Sequence, residues 1–443
     1  MTTVFLWAPR QWGFRLTPEL LPLLASPQSL IKLQHLLTGL PSWYDEARLR
    51  SSTARRSAVQ VTQEIIAMHI ASGDIGGVEP LVRHVHVGDG YDAVVDWGGS
   101  GRLAHYLSQL QLPPRVFLFT DSNLSKLYAP ALMQQLTQAG FEPQLYIIPA
   151  GEASKSQQEL SAIYDWLLTN RAERREAIIA FGGGVIGDLV GYAAATYLRG
   201  VPLIQVPTSL LAQVDSSIGG KTGINHPKGK NLIGAFYHPR LVLADPSLLL
   251  TLPVRERTEG WAEIVKHGII LDTELFALLE EHADVLRDFT SPPTALLCQI
   301  IARNIALKVG VIEGDEREQG RRAILNYGHT IGHALENASG YGQWLHGEAI
   351  SLGMVAEAQL AQSAGLCSAD AVVRQHQLLT ALGLPTAYEG PVRADDILAT
   401  IQLDKKVVGK RVRWVMPRRI GEVVVTPMPD DLVIQTVTAF FGK

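Results

Sequence analysis

Between residues 82 and 248 the chain repeats one pattern: a short β-branched or aromatic run, a turn, then a segment of helical length with one apolar face. The runs VRHVHVGDG, RVFLFTD, QLYIIPAGE, AIIAFGGG and LIQVPTS each end in turn residues, and segments such as SQQELSAIYDWLLTNR lie between them. Strands that alternate with helices predict a parallel sheet covered on both faces. From about residue 252 the texture turns helical, in ERTEGWAEIVKHGIIL, TELFALLEEHADVL, TALLCQIIARNIALKVGVI, GHTIGHALENAS and GEAISLGMVAEAQLAQSAG. A late run, RVRWVMPRRIGEVVV, reads as a small hairpin. The expected fold is α/β: a Rossmann-like domain over 81–248, then a mainly α-helical domain over 249–443, with the active site in the cleft between them.

Composition excludes several classes. Hydrophobic residues are 47% and charged residues 19% of the 443, which suits large cores and not a disordered chain. A net charge of −4, from 39 basic and 43 acidic residues, offers no nucleic-acid surface. Every apolar run of 18 residues is broken by a charge, a proline or a polar residue, so no membrane span is expected. The two cysteines, Cys298 and Cys367, can build neither a disulfide framework nor a thiolate zinc site. With no secretory signal in MTTVFLWAPRQWGFRL, a cytoplasmic location is expected.

The strand AIIAF runs into Gly182-Gly183-Gly184-Val185-Ile186-Gly187-Asp188, so Gly182, Gly184 and Gly187 satisfy GxGxxG. Bare backbone there lets a pyrophosphate approach the amides of a helix N-terminus. Any tight strand-to-helix turn also favours glycine, so this run alone allows either reading. The ribose-binding acid usual about 20 residues downstream is absent. The candidate is upstream, Asp121 at the end of RVFLFTD, which puts the usual Rossmann strand order in question.

In the helical half, LNYGHTIGHALE sets His329 and His333 four apart, on one helix face. His346 follows in LHGEAIS and Glu263 precedes in WAEIVKHG. Three such ligands suit zinc and leave a fourth position open. Spacing alone selects His329 with His333, and two solvent-facing histidines would look the same. SSIGGKTGINHPKGKNLIGAF supplies Lys221, Lys228, Lys230 and Asn231, with Asp215 and Arg199 before it. Lys266, Lys308, Arg322, Asn326 and Lys405-Lys406 follow. Lysines in small-residue loops suit phosphate and carboxylate, although a solvated basic surface is the ordinary fate of lysine.

Together FGGGVIGDLVGY (181–192), YLRGVPLIQVPTSLLAQVDSSIGGKTGINHPKGKNLIGAFYHP (197–239), GWAEIVKHG (260–268), LNYGHTIGHALE (325–336), HGEAISLGM (346–354) and DKKVVGK (404–410) closely resemble 3-dehydroquinate synthase, one of the sugar-phosphate cyclases. The resemblance runs from about residue 82 to the end. It implies zinc, or cobalt, held by Glu263, His329 and His346, which overrules the spacing pair and turns His333 toward the substrate. It implies NAD along Gly183, Gly184 and Asp188, with Asp121, Asn123, Glu152, Lys155, Thr208, Ser209, Lys230, Thr251 and Leu252 around it. It implies that Lys221, Asn231, Lys266, Lys308, Arg322, Asn326, His333 and Lys405 gather the substrate's phosphate and carboxylate, completed by Asp215. Arg199 is expected to reach the neighbouring site of a homodimer. The implied reaction turns 3-deoxy-D-arabino-heptulosonate 7-phosphate into 3-dehydroquinate and phosphate, a lyase step of the shikimate pathway toward aromatic amino acids.

Two rivals remain at this stage. Polyol and iron-dependent alcohol dehydrogenases share the architecture but would release NADH and need fewer anion-binding residues. A catalytically dead scaffold would have lost ligands, and none is missing. Residues 1–80 fall outside the pattern. Their stretch VFLWAPRQWGFRLTPELLPLL to VTQEII faintly resembles the last part of a shikimate kinase, but no GxxxxGK[ST] is present, so no kinase activity is expected. An unrelated helical extension fits that segment equally.

Overall fold

The structure is a computed structural model that describes residues 78–442 except 290–291, 341 and 409–411; the side chains of 403–408 are also outside the description. The N-terminal extension read over 1–80 thus lies outside the described residues but for its last three.

A seven-stranded sheet has the order β1-β2-β9-β6-β5-β3-β4. Its members are β1 (Leu81–Val85), β2 (Tyr91–Val95), β3 (Arg115–Asp121), β4 (Glu142–Ile148), β5 (Ala177–Gly182), β6 (Leu203–Pro207) and β9 (Leu241–Ala244). All neighbouring pairs are parallel except the first. β1, expected as a parallel strand, runs antiparallel to β2 with Val85 opposite Tyr91. Residues 86–90 are too few for the crossover that a parallel pair requires. β7 (Lys221–His226) and β8 (Gly229–Phe236) form a separate antiparallel hairpin where the sequence read as a glycine-rich loop.

Alternation along the strands covers both faces. Val116, Leu118, Ile179, Phe181, Ile204 and Val206 point to one side, against Leu103 and Leu107 of α1 (Leu103–Gln109) and Leu132 and Leu136 of α2 (Ala129–Gln138). Phe117, Phe119, Ile178 and Ala180 point to the other. They meet Leu160, Ile163 and Leu167 of α3 (Gln157–Thr169) and Ile186, Leu189 and Val190 of α4 (Gly184–Thr196). The chain leaves β3 for β4 over the first face and returns past β3 to β5 over the second. That reversal makes the C-terminal ends of β3 and β5 the crevice in which ligands of open α/β sheets sit. The question over strand order resolves as a reversal between β3 and β5.

The second half is helical: α5 (Val254–Glu259), α6 (Trp261–Leu271), α7 (Thr273–Arg287), α8 (Thr294–Gly314), α9 (His329–Ala338), α10 (His346–Ser363), α11 (Ala369–Ala381), α12 (Ala394–Val408) and α13 (Asp430–Phe441). The predicted hairpin is present as β10 (Trp414–Arg419) and β11 (Glu422–Thr426). α6 is buried from Trp261 through Ile270, so it is the axis of this half. One core joins it to the sheet: Ala93, Val95, Val242 and Ala244 pack with Ile264, Ile301 and Ile305. Among the described residues α8 alone is long and apolar enough to cross a membrane, and here it packs within that core. Its buried Asn304 and Lys308 carry polar groups inward, toward the site.

Candidate active site

Most residues expected around a dinucleotide lie at or beyond a C-terminal strand end of the sheet; Lys230 lies instead at the start of β8, on the separate hairpin. Asp121 closes β3, where its Oδ1 accepts from the amides of Asn123 (2.7 Å) and Leu124 (3.0 Å). Beyond β4, the Lys155 ammonium pairs with Asp188 in the first turns of α4. Asn225 of β7 binds this loop twice, from its side chain to Glu152 (2.7 Å) and from its amide to the Lys155 carbonyl (2.8 Å). Burial raises the Asp188 carboxyl above its usual range, against the pull of Lys155. Thr208 and Ser209 follow β6, and the Thr251 hydroxyl meets Tyr128 at 2.6 Å. Leu252 is half-buried, with its carbonyl near Arg257.

Gly183 caps α4 without any side-chain hydrogen bond, which leaves the first amides of a 13-residue helix free at the crevice. A Cβ on Gly183 or Gly184 would stand 3.5 Å from Ser209 Oγ or 3.3 Å from Ser216 Oγ, filling the narrow space above those amides. A bare helix N-terminus at a sheet's reversal point fits the pyrophosphate of a dinucleotide.

A five-residue π-helical turn, Ala212–Ser216, connects this crevice to the helical half. Ser216 Oγ lies 3.3 Å from where a Cβ on Gly184 would stand, and the next residue back, Asp215, accepts from Lys308 of α8 at 2.7 Å. Lys308 overrides the effect of burial and holds Asp215 ionised, down at about 2. Ligand-capable atoms of Asp215, Glu263 and His267 lie within 4.8 Å of one another. Glycine turn and α6 carboxylate therefore stand on either side of the adjacent pair Asp215 and Ser216.

Glu263 is fully buried; its Oε2 is ion-paired with Lys266, and its Oε1 has no hydrogen-bond partner. Its Oε1 faces Nε2 of His329 at 3.6 Å and Nε2 of His346 at 3.7 Å. Those distances are too long for hydrogen bonds. They are close to the edge of a tetrahedron of ligands about 2.1 Å from a shared ion, about 3.4 Å. Burial would raise Glu263, but the adjacent Lys266 and the two imidazoles hold it ionised. Burial and Lys266 keep His329 neutral, as a ligand must be. Burial opposes charge on His346, yet Glu263 and Glu336 outweigh it and raise it to about 10 before any ion displaces the proton. His333 completes a triangle of imidazoles, its ring 5.1 Å from His329 and 5.7 Å from His346, but it is exposed. The donor set fits a divalent metal.

The anion-binding residues come together in part. Lys221 and Asn326 share the carboxylate of Glu318, and Arg322 is buried beside them with its guanidinium on the Glu316 carbonyl. Gly219, at φ +101°, has no Cβ because one would lie 2.9 Å from Arg322 Nη2. Lys266 and Lys308 flank Glu263 and Asp215. Asn231 stands apart from Lys221 toward the other end of the β7–β8 hairpin, where its amide donates to Asn225 at 3.0 Å. Lys230 points across the cleft to Glu336 at 3.0 Å. Lys405 has its side chain outside the described residues. Arg199 is exposed beyond the far end of α4, in the left-handed region at φ +63°. That helix length, about 20 Å, separates it from the glycine turn.

Sequence reasoning missed Glu318, Glu336, Asn225 and Ser216. Glu336 had a signal: it falls seven residues after His329, two turns along one helix face. Glu318 had none, because DEREQG reads as a solvated loop.

A sheet with its ligand crevice opened toward a buried glutamate flanked by two half-buried histidines defines a nucleotide- and metal-dependent enzyme of the cyclase and polyol-dehydrogenase architecture. Residues 145–259 match the model for the 3-dehydroquinate synthase N-terminal domain, and residues 260–407 match that for its C-terminal domain. The chain is 45% identical over 347 residues to the 3-dehydroquinate synthase of Rippkaea orientalis, covering 78% of this chain and 94% of that one. It is 45% identical over 345 residues to that of a Synechocystis species, covering 78% and 95%. The chain belongs to the 3-dehydroquinate synthase family. Among solved structures it resembles 2-epi-5-epi-valiolone synthase from Streptomyces hygroscopicus with NAD+ and Zn2+ bound (TM-score 0.73, 28% identity, 83% of this chain and 99% of that one). It also resembles 2-deoxy-scyllo-inosose synthase complexed with carbaglucose-6-phosphate, NAD+ and Co2+ (TM-score 0.73, 26% identity, 81% and 100%). Glycerol dehydrogenase from Schizosaccharomyces pombe, at 15% identity and TM-score 0.58, shares the fold.

Proposed function

We propose that this chain converts 3-deoxy-D-arabino-heptulosonate 7-phosphate to 3-dehydroquinate and phosphate in the cytoplasm, with NAD and a divalent metal, zinc or cobalt. The working units are the sheet half (81–248) and the helical half (249–443). The observation that carries this reading is the Asp215 junction, where Ser216 borders the bare glycine turn while ligand atoms of Asp215 and Glu263 lie within 4.8 Å of each other.

Bound in this cleft, NAD supplies reversible hydride exchange at one substrate hydroxyl, and the metal supplies charge stabilisation for that oxygen. The chain's own groups do the rest. The free amides of α4 hold the pyrophosphate, with Asp121 and Asn123 on the adenosine side. Glu263, His329 and His346 hold the metal. Lys221, Asn231, Lys266, Lys308, Arg322, Asn326, His333 and Lys405 gather phosphate and carboxylate, so the departing phosphate leaves with its charge already paired. Asp215, ionised and fixed by Lys308, orients hydroxyls. Holding the acyclic intermediate in one geometry favours its intramolecular closure.

The exposed, left-handed Arg199 is too far along α4 to serve its own site, which supports a homodimer in which it completes the partner's. The reading is tested on metal content and turnover together. Glu263→Ala and His346→Ala are expected to lose both, whereas His333→Ala keeps the metal and loses turnover. Metal retained at wild-type level in Glu263→Ala would overturn the ligand assignment.

A further inference from the structure

Glu336 is nearly buried at 5% exposure, on α9 two turns beyond His329. Its two oxygens take different partners. Oε2 meets His346 Nδ1 at 3.3 Å, and Oε1 accepts from Lys230 Nζ at 3.0 Å. His346 Nε2 is the atom that faces Glu263. An imidazole that donates Nδ1–H to a carboxylate has its tautomer fixed, with the Nε2 lone pair aimed at the position the ligand atoms share. Lys230 belongs to β8, on the same hairpin as Lys221 and Asn231. One carboxylate thus spans from a ligand on the helical half to the hairpin carrying anion-binding groups.

We infer that Glu336 is a positioning residue that orients His346 toward the metal and ties that ligand to the β7–β8 hairpin through Lys230. The inference rests on the proposed metal site. Removing such a carboxylate frees the imidazole to rotate or to change tautomer, and costs of this kind run at roughly 10- to 100-fold in metal affinity. Removing Lys230 frees one oxygen of the carboxylate without touching the ring, so its cost is smaller and passes entirely through Glu336.

The test is zinc affinity of the full metal-free chain, measured by competition with a chromophoric chelator, alongside the melting temperature of each metal-free variant. Glu336→Ala is expected to bind zinc roughly 10- to 100-fold more weakly than wild type. Glu336→Gln, which keeps a neutral acceptor, falls between the two. Lys230→Met weakens zinc several-fold alone and not at all in the Glu336→Ala background. A purely structural role would lower the melting temperature and leave zinc affinity unchanged in the folded protein. Unchanged affinity in Glu336→Ala, or full additivity of Lys230→Met with it, overturns the inference. Should Glu336→Ala fail to fold, Lys230→Met decides: a wild-type zinc affinity there overturns it. Wild-type zinc affinity in His346→Ala would instead overturn the metal reading itself.

Discussion

Glu357 of α10 is fully buried, and its carboxylate accepts from the amides of Gly328 (2.7 Å) and Ile331 (3.4 Å) at the start of α9. It caps from outside the helix that begins with His329. Burial pushes this carboxyl up to about 8, against those backbone donors, and the Tyr327 hydroxyl is the titratable group close by. A carboxyl raised on folding contributes stability that is complete below its unfolded pKa and disappears as pH rises through the folded value. Between pH 5 and 9 the wild type should therefore lose stability relative to Glu357→Gln, by up to roughly 4 kcal/mol. Urea unfolding of both proteins at the two pH values measures it. Parallel pH dependences would show that Glu357 is not raised.

At the scale of elements, the metal ligands depend on how closely α9 and α10 approach. Gly353 faces the Gly328 carbonyl so tightly that a Cβ would lie 2.0 Å from that oxygen, and backbone cannot give way as a side chain does. Gly353→Ala should push α9 away, costing ~3 kcal/mol or more in unfolding free energy and loosening metal binding with it. A variant with wild-type stability and metal affinity would contradict this.

Much of this level was legible in the chain. The five β-branched runs are strands, the helical texture after 252 is helical, and AIIAFGGG does end at the free N-terminus of α4. What escaped has physical causes. LVLA, at four residues, is too short to announce β9, and YDAVV went unread although β2 is as long as β1 and β6. The β7–β8 hairpin carries Gly223, Gly229 and Gly234, which read as a loop until strand pairing accounts for them. The antiparallel β1 follows from loop length, which its hydrophobic pattern does not show. At the site, the His329–His333 spacing pointed to one helix face, but Glu263 stands some 66 residues earlier in sequence. Only packing brings α6 against α9 and α10, so no local pattern could select the buried carboxylate over the nearer histidine.

For the whole molecule, the described residues already hold the sheet, the helical half and the cleft between them. Nothing assigned to the site precedes Asp121. Deleting residues 1–75 should leave the cyclisation rate within about twofold of the full chain, because no interaction assigned to the transition state is removed. A large loss of kcat in a truncated protein that still melts cooperatively would give that segment a part in the site.

In this family's reaction one cleft takes a hydride, expels phosphate and returns the hydride. Substrate and products together are redox-neutral, so NAD acts catalytically. The direct measurement is phosphate released from the heptulosonate phosphate at an NAD concentration far below that of substrate, with absorbance at 340 nm followed in the same cuvette. Many phosphates per NAD are expected, with no accumulating NADH, and release is lost when NAD is omitted or the metal is chelated. NADH that accumulates with a simple polyol, while the heptulosonate phosphate yields no phosphate, would contradict that expectation.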